Sequence, residues 1–145
     1  MSMSAQTAPM SLSTREEADV PKILVIDDDP AVRRLVEDVL ELEGYEVRTA
    51  EDGFAGLRAI EALRPDCVVL DIMMPGMDGH AVLQRIRSAA GRHLPVVMLT
   101  AAADDSQAWQ AWTEGVDYFL AKPFEPEELL RFLDYLFEAA GSVAG

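Results

Sequence analysis

Four short apolar runs, each stopping at a polar residue, govern what this chain can fold into. They are Ile23-Leu24-Val25-Ile26 before Asp27, Cys67-Val68-Val69-Leu70 before Asp71, Val96-Val97-Met98-Leu99 before Thr100, and Tyr118-Phe119-Leu120-Ala121 before Lys122. A run without polar alternation suits a strand buried on both faces, as in a parallel sheet. Between the runs the apolar period becomes helical. Val32, Leu35, Val36, Val39 and Leu40 follow the i, i+3, i+4, i+7, i+8 spacing of one helix face. Asp29 as N-cap and Pro30 at the first helical position open that helix, and Gly44 ends it.

The alternation repeats along the chain. Tyr45 to Thr49 is a short strand that ends in nothing comparable to the other four and suits a sheet edge. Asp52 to Leu63 is helical, with Phe54, Leu57 and Ile60 inward. A loop rich in Met, Pro and Gly runs from Ile72 to Gly79, and Val82, Leu83 and Ile86 then mark a helix to about Ala90. Residues near Asp104 to Thr113 form the next helix. Glu125 to about Ala139 is the last, with acidic residues in its first turn where the macrodipole favours them. Five strands and five helices in strict alternation predict βαβ crossovers and a doubly wound α/β fold with a parallel sheet.

Composition narrows the function. The 145 residues suit one domain. Half are hydrophobic, and 12 basic against 26 acidic side chains leave a net charge of −14. That charge argues against nucleic acid or an anionic membrane as a direct partner. A single cysteine, Cys67, excludes a disulfide framework and a Cys-rich zinc site, and reads as an inert core thiol. The sequence lacks both an apolar run of bilayer length and a secretory signal, so a cytoplasmic location is expected. Residues 1–21, rich in Ser, Thr, Ala and Met, read as a disordered tail. Residues 22–140 form the expected domain and 141–145 a short C-terminal tail.

The strand ends carry the chemistry. In an open α/β sheet, ligands bind beyond the carboxyl ends of the strands. Three carboxylates (Asp27, Asp28 and Asp71), the Thr100 hydroxyl and the Lys122 ammonium should therefore share one crevice. Clustered carboxylates repel unless a cation compensates, and oxygen donors suit Mg²⁺. A lysine and a hydroxyl beside that cation make a place for a phosphoryl group. A carboxylate there can act as a nucleophile and yield an acyl phosphate.

These residues resemble the receiver domain of two-component response regulators. The resemblance runs from Lys22 to about Glu138 on four ordered segments: Ile23 to Pro30, Leu70 to Gly79, Met98 to Ala101, and Lys122-Pro123-Phe124. It implies a flavodoxin-like five-stranded sheet of order 2-1-3-4-5. It implies Asp71 as phosphoryl acceptor, Asp27 and Asp28 as the acidic pair for Mg²⁺, and Asp28 and Asp71 as its direct carboxylate ligands. The backbone carbonyl of Met73 would complete the metal site. Thr100 matches the switch hydroxyl, Lys122 its lysine partner, and Phe119 the aromatic switch position. The Lys122–Pro123 peptide is expected to be cis. The phosphodonor histidine would belong to a partner, a sensor histidine kinase or a histidine phosphotransfer protein. The module would catalyse only its own phosphorylation and dephosphorylation, and would signal to a downstream protein through the face of the fourth helix, fifth strand and last helix.

Other residues have plainer readings. Asp29 and Asp78 read as helix caps, and His80 and His93 as surface residues. Met73, Met74 and Met77 read as loop packing, because soft sulfur ligands do not suit an oxygen-rich crevice. Two departures from the receiver pattern stand out. The last helix offers Phe132, Asp134 and Glu138 where charge-paired receivers carry basic residues, which argues against that kind of dimer. Trp109, Trp112, Phe132 and Tyr135 instead form a candidate aromatic face for a partner or self-association, although packing of both Trp onto the sheet is an equal reading. Met73 and Ala102, two positions after the acceptor and the switch threonine, orient an attacking water poorly, so slow self-dephosphorylation is expected.

Two other readings compete. Asp27-x-Asp29 resembles the nucleophile motif of haloacid-dehalogenase-like phosphatases, but the late acidic pair of that family does not follow Lys122. A non-phosphorylated scaffold would be expected to lack one of the acidic pair, the acceptor or the lysine, and all are present. The sequence after Glu138 contains no effector domain, which fits a stand-alone receiver or one excised from a larger regulator.

Overall fold

The computed structural model describes residues 20–89, 93–100, 112 and 114–144. Their elements follow in the order β1 (Lys22–Ile26), α1 (Pro30–Leu42), β2 (Glu46–Ala50), α2 (Gly53–Leu63), β3 (Cys67–Asp71), α3 (Gly79–Ser88), β4 (Val96–Thr100), β5 (Tyr118–Ala121) and α4 (Pro126–Ala144). Apart from Trp112, the expected helix near 104–113 lies outside the described residues, as do Trp109 and Ala102.

All neighbouring strands run parallel, in the order β2-β1-β3-β4-β5. This is the sheet expected from the sequence. Each strand alternates its apolar side chains between two cores. Leu24, Ile26, Val68, Leu70, Val96 and Met98 face one side with Val82 and Leu83 of α3. Ile23, Val25, Cys67, Val69, Val97 and Leu99 face the other with Val36 and Leu40 of α1 and Leu129 and Leu133 of α4. The continuous apolar runs of β1, β3 and β4 are thus explained by burial on both faces. On the first side α2 lies close, because a side chain at Gly56 would overlap Ile26.

The helix starts are chemically defined. Asp29, Asp52 and Asp78 are N-caps whose carboxylates accept from the backbone N–H of Ala31, Ala55 and Ala81. Asp29 and Asp78 act as the sequence indicated.

Both element limits and burial depart from expectation in places. β2 covers Glu46–Ala50 instead of Tyr45–Thr49, because its register against β1 runs from Lys22↔Glu46 to Ile26↔Ala50. Leu35, assigned to the core face, is half exposed beside a shallow groove between α1 and α4 lined by Val36, Val39, Phe124 and Leu129. Phe54 also remains half exposed. It sits in the first turn of α2, where it covers the Gly76 loop instead of the sheet. Finally, α4 continues to Ala144, through residues 141–144 that were assigned to a tail. A lone glycine at 141 costs only about 1 kcal/mol in a helix, too little to stop one rich in alanine.

Candidate functional site

Strand register brings the site together. Ile26 pairs with Leu70, which sets Asp27 abreast of Asp71. Asp71 pairs with Leu99, so Thr100 lies one residue further along the same edge. Thr100 pairs with Ala121, which delivers Lys122 to the same end. The carboxyl ends of β1, β3, β4 and β5 therefore converge as expected.

Asp27 is fully buried and Asp71 almost so, at 0% and 3% exposure, whereas Asp28 is exposed. Oxygens of all three carboxylates lie within 4.8 Å of one another. Lys122 Nζ donates to Asp27 Oδ2 at 3.1 Å and to Asp71 Oδ1 at 3.3 Å. Asp27 Oδ1 also accepts from the Asp29 N–H at 2.9 Å, and Asp71 Oδ1 from the Met73 N–H at 3.4 Å. Thr100 is buried, and its carbonyl accepts from the Lys122 N–H at 2.6 Å. The Lys122–Pro123 peptide is cis, as expected.

The electrostatics follow from burial and like charge. Asp71 is pushed up to about 6, first by burial and then by the neighbouring Asp27 carboxylate, with Lys122 opposing. Burial disfavours the charged form of Lys122, but the hydrogen bond and charge of Asp27, joined by Asp71, outweigh it and raise the ammonium above its ordinary value. A buried carboxylate pair bridged by one ammonium still carries excess negative charge. Its all-oxygen donor set suits a hard divalent cation and excludes a soft one. Met73 is exposed, and its backbone N–H on Asp71 Oδ1 puts this residue beside the acceptor. Phe119 is half-buried on β5 opposite Met98, packed against the first core.

Gly79 is required by the close approach of α3 to the end of β3. Its N–H donates to the Ile72 carbonyl at 2.8 Å, and an added Cβ would overlap the Asp71 carbonyl oxygen. Two residues were not recognised from sequence. The half-buried Arg33 donates from Nη1 to the Asp27 carbonyl at 2.7 Å. Its signal was a cation in the opening turn of a helix, the end where the macrodipole disfavours it. His80, read as a surface residue, is buried and bonds Glu114 Oε1 at 2.7 Å, while Gln84 Nε2 donates to the other oxygen at 3.0 Å. A first-turn residue of α3 faces the neighbouring segment here, which helical spacing alone does not reveal. His93 is at the surface as expected, bonded to Asp117.

Residues 23–134 match the model of the response regulator receiver domain. The chain belongs to the response regulator receiver family. The receiver is 44% identical over 112 residues to the DNA-binding dual master transcriptional regulator RpaA of Synechocystis, covering 77% of this chain and 46% of that protein. It is 41% identical to the DNA-binding response regulator MtrA of Mycolicibacterium smegmatis, covering 75% and 47%. The chain thus spans about half the length of these curated relatives. Among solved structures, a receiver domain protein from Clostridium thermocellum superposes with a TM-score of 0.78 at 30% identity, covering 86% of this chain and 99% of that one. The chemotaxis protein CheY4 of Vibrio cholerae gives 0.74 at 32% identity, covering 80% and 98%.

Proposed function

We propose that this receiver accepts a phosphoryl group on Asp71 from a histidine kinase or histidine phosphotransfer protein, with Mg²⁺ as cofactor. The observation that supports this most directly is Lys122 bridging Asp27 and Asp71 while Asp28 completes a carboxylate triad at the same strand edge. An Asp71 oxygen attacks phosphorus, the P–N bond of the donor breaks, and its electron pair leaves on the donor imidazole. The product is an acyl phosphate on Asp71. Lys122 pairs with the phosphoryl oxygens, and the Thr100 hydroxyl donates a hydrogen bond to one of them. Attack of water on phosphorus later releases inorganic phosphate and restores the carboxylate. Asp27, Asp28, Asp71 and the Met73 carbonyl would hold Mg²⁺, which neutralises charge on the nucleophile and the transferred group.

No external metabolite is transformed in this reading, so the chain is a signalling module and not a metabolic enzyme. The signal leaves through the face of β5 and α4, where Thr100 and Phe119 lie on adjoining strands and report the state of the crevice. That face is aromatic in part. Tyr118 stacks on Phe132 with ring centroids 4.8 Å apart, while Trp112 and Tyr135 are exposed. Output by protein contact fits a chain whose net charge of −14 would repel nucleic acid, whether it acts alone or within a larger regulator. No helix among the described residues is long and apolar enough to cross a membrane, and the cytoplasm is the proposed location.

Intact mass after treatment with acetyl phosphate and Mg²⁺ tests the proposal. One phosphoryl adduct in wild type, absent from Asp71→Asn and absent with a chelator, is expected. An adduct that persists in Asp71→Asn would refute it.

A further inference from the structure

Both cations of the crevice converge on Asp27. Lys122 takes its carboxylate, and Arg33 takes its carbonyl at 2.7 Å. The Asp27 carbonyl belongs to the turn that links β1 to α1, immediately before Asp28 and the N-cap Asp29. That turn is held from inside by the Asp29 N–H on Asp27 Oδ1 at 2.9 Å and by the Ala31 N–H on Asp29 Oδ1 at 2.9 Å. Arg33 reaches it from one helical turn further on, while its own N–H makes the Asp29 carbonyl bond at 3.0 Å.

The placement of Arg33 breaks a local rule. A guanidinium in the opening turn of α1 faces the positive end of the helix dipole, so helix formation alone does not favour it there. It is also half-buried, whereas its neighbour Arg34 is exposed. Its short bond to Asp27 supplies the compensation. Lys122 offsets only part of the repulsion among the carboxylates of Asp27, Asp28 and Asp71, and the exposed Asp28 is the one with room to swing outward. A guanidinium bonded through Nη1 to the carbonyl directly before Asp28 opposes that movement.

We propose that Arg33 is a positioning residue of the receiver: by holding the Asp27 carbonyl it keeps Asp27 and Asp28 converged on Asp71 and so presets the divalent-cation site. The inference rests on the metal-dependent reading above. It assigns Arg33 no contact with the cation or the phosphoryl group. Outer residues that orient metal ligands commonly change affinity by about tenfold or more when removed.

The sign of the effect separates this role from a charge effect. Arg33 as a mere nearby positive charge would weaken cation binding, so removing it would strengthen binding. Arg33 as a positioning donor has the opposite consequence. The test is calorimetric titration of Mg²⁺ into wild type, Arg33→Met and Arg33→Lys, with thermal melting in chelator as a folding control. Arg33→Met should bind Mg²⁺ about tenfold more weakly while its metal-free melting stays close to wild type. Arg33→Lys should lie between, since it keeps a donor without the fork. Equal or tighter binding by Arg33→Met overturns the positioning role, as does weaker binding that merely tracks a lost fold. Failure of wild type to bind Mg²⁺ would overturn the metal-dependent reading itself, and the role of Arg33 with it.

Discussion

Lys122 Nζ lies 3.3 Å from Asp71 Oδ1, at the end of a contact that spans 51 residues of sequence. Only the sheet makes this pair possible, because Lys122 directly follows β5 and Asp71 ends β3, with β4 between them. The same ammonium holds the wholly buried Asp27. Replacement by methionine leaves two buried carboxylates without their cation. Lys122→Met should lower metal-free stability by about 3 kcal/mol, measured by urea denaturation in chelator. Its phosphorylation by acetyl phosphate should fall sharply at saturating Mg²⁺.

The acceptor has a pH signature. Asp71 stands at about 6 in the folded chain, above the ordinary carboxylate value of about 4. The folded state therefore holds this proton more tightly than the unfolded state. The stability it contributes is fully present below about pH 4 and is lost as pH rises through about 6. Asp71→Asn should flatten that part of the stability profile in chelator and raise stability at pH 7. Identical pH profiles for wild type and variant would contradict the burial and charge argument.

The backbone at Gly79 leaves no space for a side chain. An added Cβ meets the Asp71 carbonyl oxygen and lies 2.8 Å from Ile72 Cα, both backbone atoms that cannot swing away. Gly79→Ala should cost about 1–3 kcal/mol and displace the acceptor loop. Differential scanning calorimetry gives the first effect. A slower rate of adduct formation by intact mass gives the second.

Phosphoryl lifetime should respond to Met73, which is exposed beside the acceptor. A thioether offers no strong hydrogen bond to an attacking water. Wild type should lose its adduct slowly, and Met73→Asn should shorten the lifetime several-fold. A rapid loss from wild type would contradict this.

The exposed aromatics make a separate prediction. Trp112 and Tyr135 are 50% and 70% exposed. If this face is an interface, Trp112→Ala with Tyr135→Ala should weaken association of the phosphorylated chain by about 2 kcal/mol, read by analytical ultracentrifugation. Unchanged association and partner capture would remove the face from consideration.

Much of the fold was legible because burial on both faces writes itself as an uninterrupted apolar run. β1, β3 and β4 all showed it, the edge strand β5 carried a similar run although only its Leu120 is fully buried, and the polar residue after or ending each run named the site. β2 was displaced by one residue because its outer face is partly exposed and its limits come from pairing with β1. Leu35 and Phe54 fit a helical period yet remain half exposed, since a period marks a face without saying how far the neighbouring element extends over it. His80 was misread for the same reason: whether a first-turn residue meets solvent or Glu114 depends on what packs against α3.

The order of the chemical groups along the chain was determined by sequence alone: an acidic pair, an acceptor, a hydroxyl and a lysine, each at the end of an apolar run. Their geometry was decided only by the tertiary structure. Parallel register sets Asp27 beside Asp71 and carries Lys122 to both, and burial together with the charge of Asp27 then raises Asp71 against the pull of Lys122. The bond from Arg33 to the Asp27 carbonyl belongs to that second class. It depends on how α1 leaves β1, and a backbone carbonyl carries no residue identity through which a sequence could announce its partner.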